Sequence, residues 1–361
     1  MVNINSEYGT TVSLTAPDLV TLEQNSETNV TITSSAPINQ SAEIQFNVSF
    51  SSKLNSTIIT LPQQVLLQQG SSSVTFEVKA HSIGQVTVYL ESNSSEILSS
   101  STRIRFAVVS SNTLTIINEV IGWIYFVAWS VSFYPQVWEN WRGKSVVGLN
   151  FDFLSLNITG FICYSIFNVG LFWVPYIKEE FLKVNRNGVN PVDANDVFFS
   201  LHAVLLCLVY ICQAAVYERG GQTVSRISWI ILIFCWLFIL VGLFVALGGV
   251  LPWLSYLYFF SYVKLGITVI KYTPQAYMNY RRKSTGGWSI GNVLLDFVGG
   301  TFSILQMLMK SYNNDMWGLI LGDPTKFLLG LVSILFDILF MVQHYCLYRP
   351  TRHYKAVGDQ E

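Results

Sequence analysis

From about Ile116 to Leu347 the sequence is a succession of apolar runs, and their length constrains the fold more than any other feature. A helix needs about 20 residues to cross the hydrocarbon core of a bilayer. The cleanest run, Trp229 to Leu247, contains no charged residue. Overall, 51% of the chain is hydrophobic and only 12% is charged, against about 25% charged in a soluble domain. Seven spans are predicted, at roughly 116–137, 153–174, 197–217, 227–249, 252–273, 290–309 and 325–347. A net charge of -1 gives no basis for binding nucleic acid. The five cysteines (Cys163, Cys207, Cys212, Cys235 and Cys346) all lie in the apolar part without CxxC or Cys/His spacing. They read as small hydrophobes, and no metal or cofactor is expected.

The stretch before the first span is rich in Ser, Thr and Asn. Apolar residues alternate with polar ones in short runs: Ile44, Phe46, Val48, Phe50; Val74, Phe76, Val78; Val86, Val88, Leu90; and Ile104, Phe106, Val108. A period of two separated by turn formers predicts antiparallel strands with one buried face, closed as a β-sandwich without disulfides. Acceptor-type Asn-x-Ser/Thr triplets occur at Asn29, Asn39, Asn47, Asn55 and Asn93. Such density predicts a glycosylated, translocated domain. Met1-Val2-Asn3-Ile4-Asn5 has no apolar core, so a cleaved leader is expected to be missing or replaced.

Positive charge agrees with that sidedness. With the first domain outside, the cytoplasmic segments hold Arg142, Lys144, Arg219, Arg226, Arg281, Arg282, Lys283, Arg349, Arg352 and Lys355. The opposite side holds Lys178, Lys183, Arg186, Lys310 and Lys326, half as many.

Two stretches of the membrane part match without a gap at the offset that carries Pro135 to Pro274. Gln136 then falls on Gln275, Asn140 on Asn279, Arg142 on Arg281, and Lys144-Ser145 on Lys283-Ser284. Gly148 falls on Gly287 and Gly160 on Gly299. Apolar coincidences between membrane helices would mean little, but matched Pro, Gln, Asn and Lys-Ser positions imply duplication. Repeat one covers 116–217, a linker helix 227–249, and repeat two 252–347. One span between copies makes them parallel, a transporter architecture with its site near the midplane. Each proline frees a backbone carbonyl, that of Val131 or Ile270, for which the neighbouring Gln amide or a water is the expected partner. Pro135, Pro274 and Gln275 are therefore candidate hinge residues.

These motifs resemble the PQ-loop family. Further segments carry the resemblance: Gly122-Trp123-Ile124-Tyr125, Ser132-Phe133-Tyr134-Pro135-Gln136, Trp173-Val174-Pro175-Tyr176, Glu218-Arg219-Gly220-Gly221-Gln222, Gly287-Trp288-Ser289-Ile290-Gly291-Asn292 and Gly322-Asp323-Pro324-Thr325-Lys326. The fold implied is seven transmembrane helices as two parallel three-helix repeats joined by a linker helix (114–348). A lumenal all-β, sandwich-like domain (1–113) precedes them and a cytosolic tail (349–361) follows. The resemblance implies a lysosomal membrane protein that exports cystine to the cytosol together with protons. It also implies contact with clathrin-adaptor-type sorting machinery, with the lysosomal proton pump and with a nutrient-sensing complex. The tail departs from the family's sorting sequence, although Tyr354 and Val357 still fit a tyrosine-x-x-bulky pattern.

Ionisable groups inside a bilayer are costly and usually functional. Asp296 is the first candidate for a proton carrier, because the repeat offset pairs it with Asn157. One half then offers a carboxylate where the other offers an amide, and an acidic lumen could load what a neutral cytosol unloads. The resemblance implies the same role. A structural ion pair with Lys271 is the competing reading. Asp337 is a second proton-site candidate or a partner of Lys264. Substrate contacts are expected from Lys271, Asn157, Asn279, Asn292 and Gln136, which suit a zwitterion, and from Phe133 and Tyr272, which suit an apolar linker. Lys326 is expected to face the lumenal mouth. Asp323-Pro324 reads as a helix start, and His202 as a neutral, hydrogen-bonded histidine.

A seven-helix receptor or nutrient sensor shares the span count and has an acidic-Arg pair, Glu218-Arg219, after span three. It does not account for the duplication, for Gly220 after that pair, or for the lack of outside cysteines and Asn-Pro-x-x-Tyr. A PQ-loop carrier of a cationic amino acid remains the other alternative. Nothing suggests an enzyme: no nucleophile elbow, metal cluster or phosphate loop is present.

Overall fold

The computed structural model describes residues 11–51, 56–98, 102–184, 190–317, 320 and 324–348. Asn55, Asp323, Tyr354 and Val357 lie outside the described residues. The chain forms two compact units. One comprises Met1–Ile117, Val184–Val189 and Met309–Trp317, and the other holds the remainder.

The described residues of the first unit form ten strands: β1 (Val12–Thr15), β2 (Leu19–Glu23), β3 (Glu27–Ser34), β4 (Ala42–Ser51), β5 (Ile59–Thr60), β6 (Gln64–Leu67), β7 (Ser73–Ala80), β8 (Gly84–Ser92), β9 (Ile97–Leu98) and β10 (Arg103–Val109). They form two five-stranded sheets, ordered β5-β7-β3-β1-β9 and β2-β10-β8-β4-β6. The alternation in sequence becomes inside and outside. Ile32, Ile44, Val78, Val88 and Ile104 are fully buried in a common core. Phe46 meets Phe76 from the other sheet, with ring centroids 4.6 Å apart. Asn29, Asn39, Asn47 and Asn93 are all exposed. The expectation of purely antiparallel pairing needs correction. β1 runs parallel to β9, and β2 parallel to β10, because the first strands pair with the last ones rather than with a hairpin partner.

The second unit carries all but the ends of the helices α1 (Asn112–Gly143), α2 (Phe151–Trp173), α3 (Pro175–Val184), α4 (Ala194–Val216), α5 (Arg226–Leu247), α6 (Trp253–Ile270), α7 (Tyr272–Arg282), α8 (Ile290–Asn313) and α9 (Pro324–Val342). α9 passes into a π-helical turn, Gln343–Leu347. Among the described residues, seven segments are long and apolar enough to span, with α6 and α7 counting as one. The short α3 escaped the sequence reading because it is amphipathic and does not span. α2 is the most enclosed span and the linker α5 the most exposed. Glycines let the backbones approach, as small residues do in membrane bundles. A Cβ on Gly160 would lie 3.0 Å from Ile267, and one on its repeat mate Gly299 would overlap the ring of Trp129.

The two prolines act differently. α1 continues through Pro135 to Gly143, beyond its expected end, and the hydroxyl of Tyr210 donates to the Phe133 carbonyl at 2.8 Å. In the second copy the helical hydrogen bonding is interrupted at Lys271, between α6 and α7, although Lys271 itself keeps helical dihedrals of φ -59° and ψ -32°. Removing the amide of residue 274 frees the carbonyl of residue 270, which is where α6 stops.

Candidate functional site

The duplicated Pro-Gln motif builds a lattice with approximate twofold symmetry. Each glutamine reaches across to the other repeat. Gln136 Nε2 donates to the Gly287 carbonyl at 3.0 Å, and its Oε1 accepts from Ser289 N at 2.9 Å. Gln275 Nε2 donates to the Gly148 carbonyl at 3.3 Å, and its Oε1 accepts from Asn150 N at 2.9 Å. Behind them Asn140 and Asn279 accept from those glutamines and donate to Gln213 and Gln343 at 2.8 and 3.1 Å. Gln213 and Gln343 in turn donate to the carbonyls of Val137 and Ala276. All six amide side chains are buried, and a satisfied network of this kind rigidifies what it joins. At its centre the backbones of Gly148 and Gly287 touch, leaving no room for a side chain. Gly287 also has φ +82°, open to glycine.

The glutamines thus do not serve the carbonyls of Val131 and Ile270. The freed groups lie one turn upstream, whereas the amides point toward the facing loop. Asn279 is likewise a lattice member and not a wall of the cavity, so its expected substrate contact is corrected. Pro135, Pro274 and Gln275 also lie outside the cavity lining.

Above the lattice lies a cavity whose walls come from both repeats. Of the residues singled out in the sequence, Phe133, Gln136, Asn157, Lys271, Tyr272, Asn292, Asp296 and Asp337 line it. Asp296, on α8, accepts from Ser333 Oγ at 2.7 Å and from the Tyr272 hydroxyl at 3.0 Å through the same oxygen. Lys271 sits at the interruption in the second Pro-Gln helix. Its Nζ donates to Asn157 Oδ1 at 3.0 Å and lies 4.4 Å from the Tyr272 ring centroid. It does not form the ion pair with Asp296 that the sequence left open. Asn157 spends its amide protons on Cys207 Sγ at 3.4 Å. Asp337 is buried, with one carboxylate oxygen lacking a hydrogen-bond partner. It does not pair with Lys264, whose Nζ instead lies 3.9 Å from the Phe161 ring centroid. Aromatic rings complete the walls: Phe161 meets Phe133 and Phe199 edge-on. Outside the lining, Phe336 stacks on Tyr272. The free space between them is about 40 Å³, whereas clefts that take up a small molecule measure ~300–1,000 Å³.

Lys326 is not at this cavity. Its Nζ pairs with Asp196 Oδ2 at 3.0 Å and donates to Gln306 Oε1 at 3.1 Å, with both charged groups almost fully buried. Tyr125 donates to the other Asp196 oxygen. The expectation of a mouth residue fails because a partner 130 positions away in sequence neutralises the lysine. His202 meets the Tyr134 hydroxyl at 3.0 Å. The sequence reading missed Ser333, Tyr210 and Trp288 as functional neighbours. A lone Ser or Tyr in an apolar helix gives no signal, and Trp288 was visible only as part of a motif.

A model of the PQ loop repeat matches residues 117–177 and 256–316, the stretches that supply both glutamines and both touching loops. Cystinosin from Bos taurus is 57% identical over 348 residues, 96% of this chain and 94% of the relative. Cystinosin from Drosophila melanogaster is 55% identical, covering 69% of this chain and 63% of that protein. The cystine transporter of Saccharomyces cerevisiae is 27% identical, covering 66% and 96%. A solved eukaryotic SWEET transporter aligns with 63% of the chain and 97% of its own length, at 12% identity and a TM-score of 0.36. With its duplicated glutamine lattice and this likeness along nearly its full length, the chain belongs to the cystinosin family of PQ-loop membrane transporters.

Proposed function

We propose that this transporter carries cystine out of the lysosome lumen to the cytosol with protons, by alternating access around the cavity between its repeats. The observation that carries the reading is the convergence of Asp296, Asp337, Lys271 and Asn157 on that cavity. A cargo with two amino-acid ends needs cations for its carboxylates and anions for its ammonium groups, and both are present. The names of the relatives supply the cargo. The limited free space supports a cycle in which the halves part to admit cargo and close around it.

Asp296 is the proton carrier in this reading. Its carboxylate is held by two hydroxyls, Tyr272 and Ser333, and by no cation, so the proton has no built-in substitute. Asp337 is the second acid facing the same space. Lys271, oriented by Asn157, meets a cargo carboxylate, Asn292 lies within reach of the polar ends, and Phe133 and Tyr272 flank the apolar linker. The β-sandwich faces the lumen, its exposed Asn29, Asn39, Asn47 and Asn93 bear sugar, and the tail faces the cytosol.

The test is uptake of labelled cystine into proteoliposomes under an imposed pH gradient. Asp296→Asn is expected to abolish gradient-driven accumulation while exchange without a gradient persists. Accumulation undiminished in that variant removes Asp296 from the mechanism. Uptake of lysine or arginine in place of cystine would overturn the cargo.

A further inference from the structure

We propose that Trp288 is a cargo-binding residue whose indole N–H takes the cargo carboxylate that Lys271 does not; the assignment rests on the cystine reading above.

Two buried polar atoms on the cavity wall have no hydrogen-bond partner: one oxygen of Asp337 and Nε1 of Trp288. A buried tryptophan usually finds an acceptor for its N–H. Trp129, on the same wall, does so by donating to the Asp296 carbonyl at 3.1 Å. Trp288 is only 6% exposed, and a buried donor without an acceptor carries the full cost of its lost hydration. Its ring is held in place by others. Phe153 meets it edge-on at 5.3 Å, and Phe340 lies at 5.5 Å. The orphaned N–H is therefore fixed in direction and is not free to swing toward another acceptor.

Position points the same way. Trp288 lines the cavity and lies in sequence between Gly287, which touches Gly148, and Ser289, whose amide donates to Gln136, so its backbone is anchored in the lattice. The repeat offset pairs Trp288 with Leu149, which also lines the cavity but donates nothing. Lys271 serves one cargo carboxylate, and the Trp288 indole N–H supplies a donor for the second.

The test uses the full chain in lipid nanodiscs with cystine as the probe. Trp288→Phe keeps the aromatic packing and removes the donor. A second variant places benzothienylalanine at 288, where sulfur replaces the N–H in a ring of the same shape. Loss of a hydrogen bond to a charged group predicts at least tenfold weaker cystine binding in both, with the thermal midpoint not lowered, because the unpaired buried donor is gone. In the native protein, the ¹⁵N-labelled indole resonance absent from the variants should shift when cystine binds. Binding within threefold of native in both variants, or an indole resonance that ignores cystine, overturns the assignment. A native chain that does not bind cystine overturns this assignment and the cargo reading together; retention of affinity by the variants alone removes only Trp288.

Discussion

Replacing Gly148 with alanine tests whether the glutamine lattice governs how the two repeats separate. A Cβ on Gly148 would lie 2.6 Å from the Gly287 carbonyl oxygen and closer still to its Cα. Ordinary carbon contacts begin near ~3.5 Å, so the loops must part by about 1 Å. No side chain can give way, because both sides of the contact are backbone. The four cross-repeat bonds of Gln136 and Gln275 now measure 2.9–3.3 Å. An added ångström takes them beyond hydrogen-bonding range. At ~0.5–1.5 kcal/mol net for each bond, the touching arrangement loses roughly 2–6 kcal/mol. At the low end that shifts the equilibrium between closed and parted loops roughly thirtyfold.

The assay is pulsed electron spectroscopy between spin labels at Arg142 and Arg281, both exposed near the ends of the Pro-Gln helices. The exposed Cys212 and Cys346 are first replaced by serine. Gly148→Ala is expected to move the distance distribution to longer values and to slow cystine uptake. Gly287→Ala should do the same, with added strain from its positive φ. A distribution that matches the native one in both variants would refute the reasoning, since it would mean the contact carries no conformational weight.

Lys326→Met leaves Asp196 buried without its cation, so the melting transition should fall by an amount equivalent to about 3–5 kcal/mol. Adding Asp196→Asn should recover most of that loss in the same melt. In the β-sandwich, the Lys79 ammonium 2.7 Å away holds the Glu27 carboxyl below its ordinary value of 4.5. A depressed carboxyl stabilises above its unfolded value and loses that contribution as pH falls through the folded one. Glu27→Gln should therefore slightly speed amide exchange in β3 and β7 at neutral pH and have no effect in strong acid. Because the pair is exposed, added salt should shrink the difference.

The candidate site was legible where chemistry and repetition coincided. Asp296 stood out as a carboxylate within an apolar run, and the offset that set it against Asn157 also identified Gln136 and Gln275. Asp296, Asn157 and Gln136 line one cavity, and Gln275 lies in the lattice. The errors share a cause. Lys326 looked like a lone charge near a helix end, and its partner Asp196 lies on another span with no local mark of the pairing. Asn279 looked like a ligand because an amide has the same composition whether it points into a cavity or into a lattice. Trp288 looked like one more aromatic, because an orphaned N–H becomes visible only when its whole surroundings are known.

Sequence by itself determined the number of spans, the alternating strands and the duplication. Each is encoded in local periodicity or in spacing that insertion and packing do not alter. Only the tertiary structure decided which way each buried polar group faces. It turned the two glutamines across the repeats instead of toward the prolines, interrupted the hydrogen bonding of the second Pro-Gln helix at Lys271 while leaving the first continuous, and paired β1 and β2 with the last strands of the sandwich. Those outcomes depend on contacts between residues far apart in the chain. Hydrogen-bond direction and close packing choose among arrangements that a linear pattern leaves equivalent.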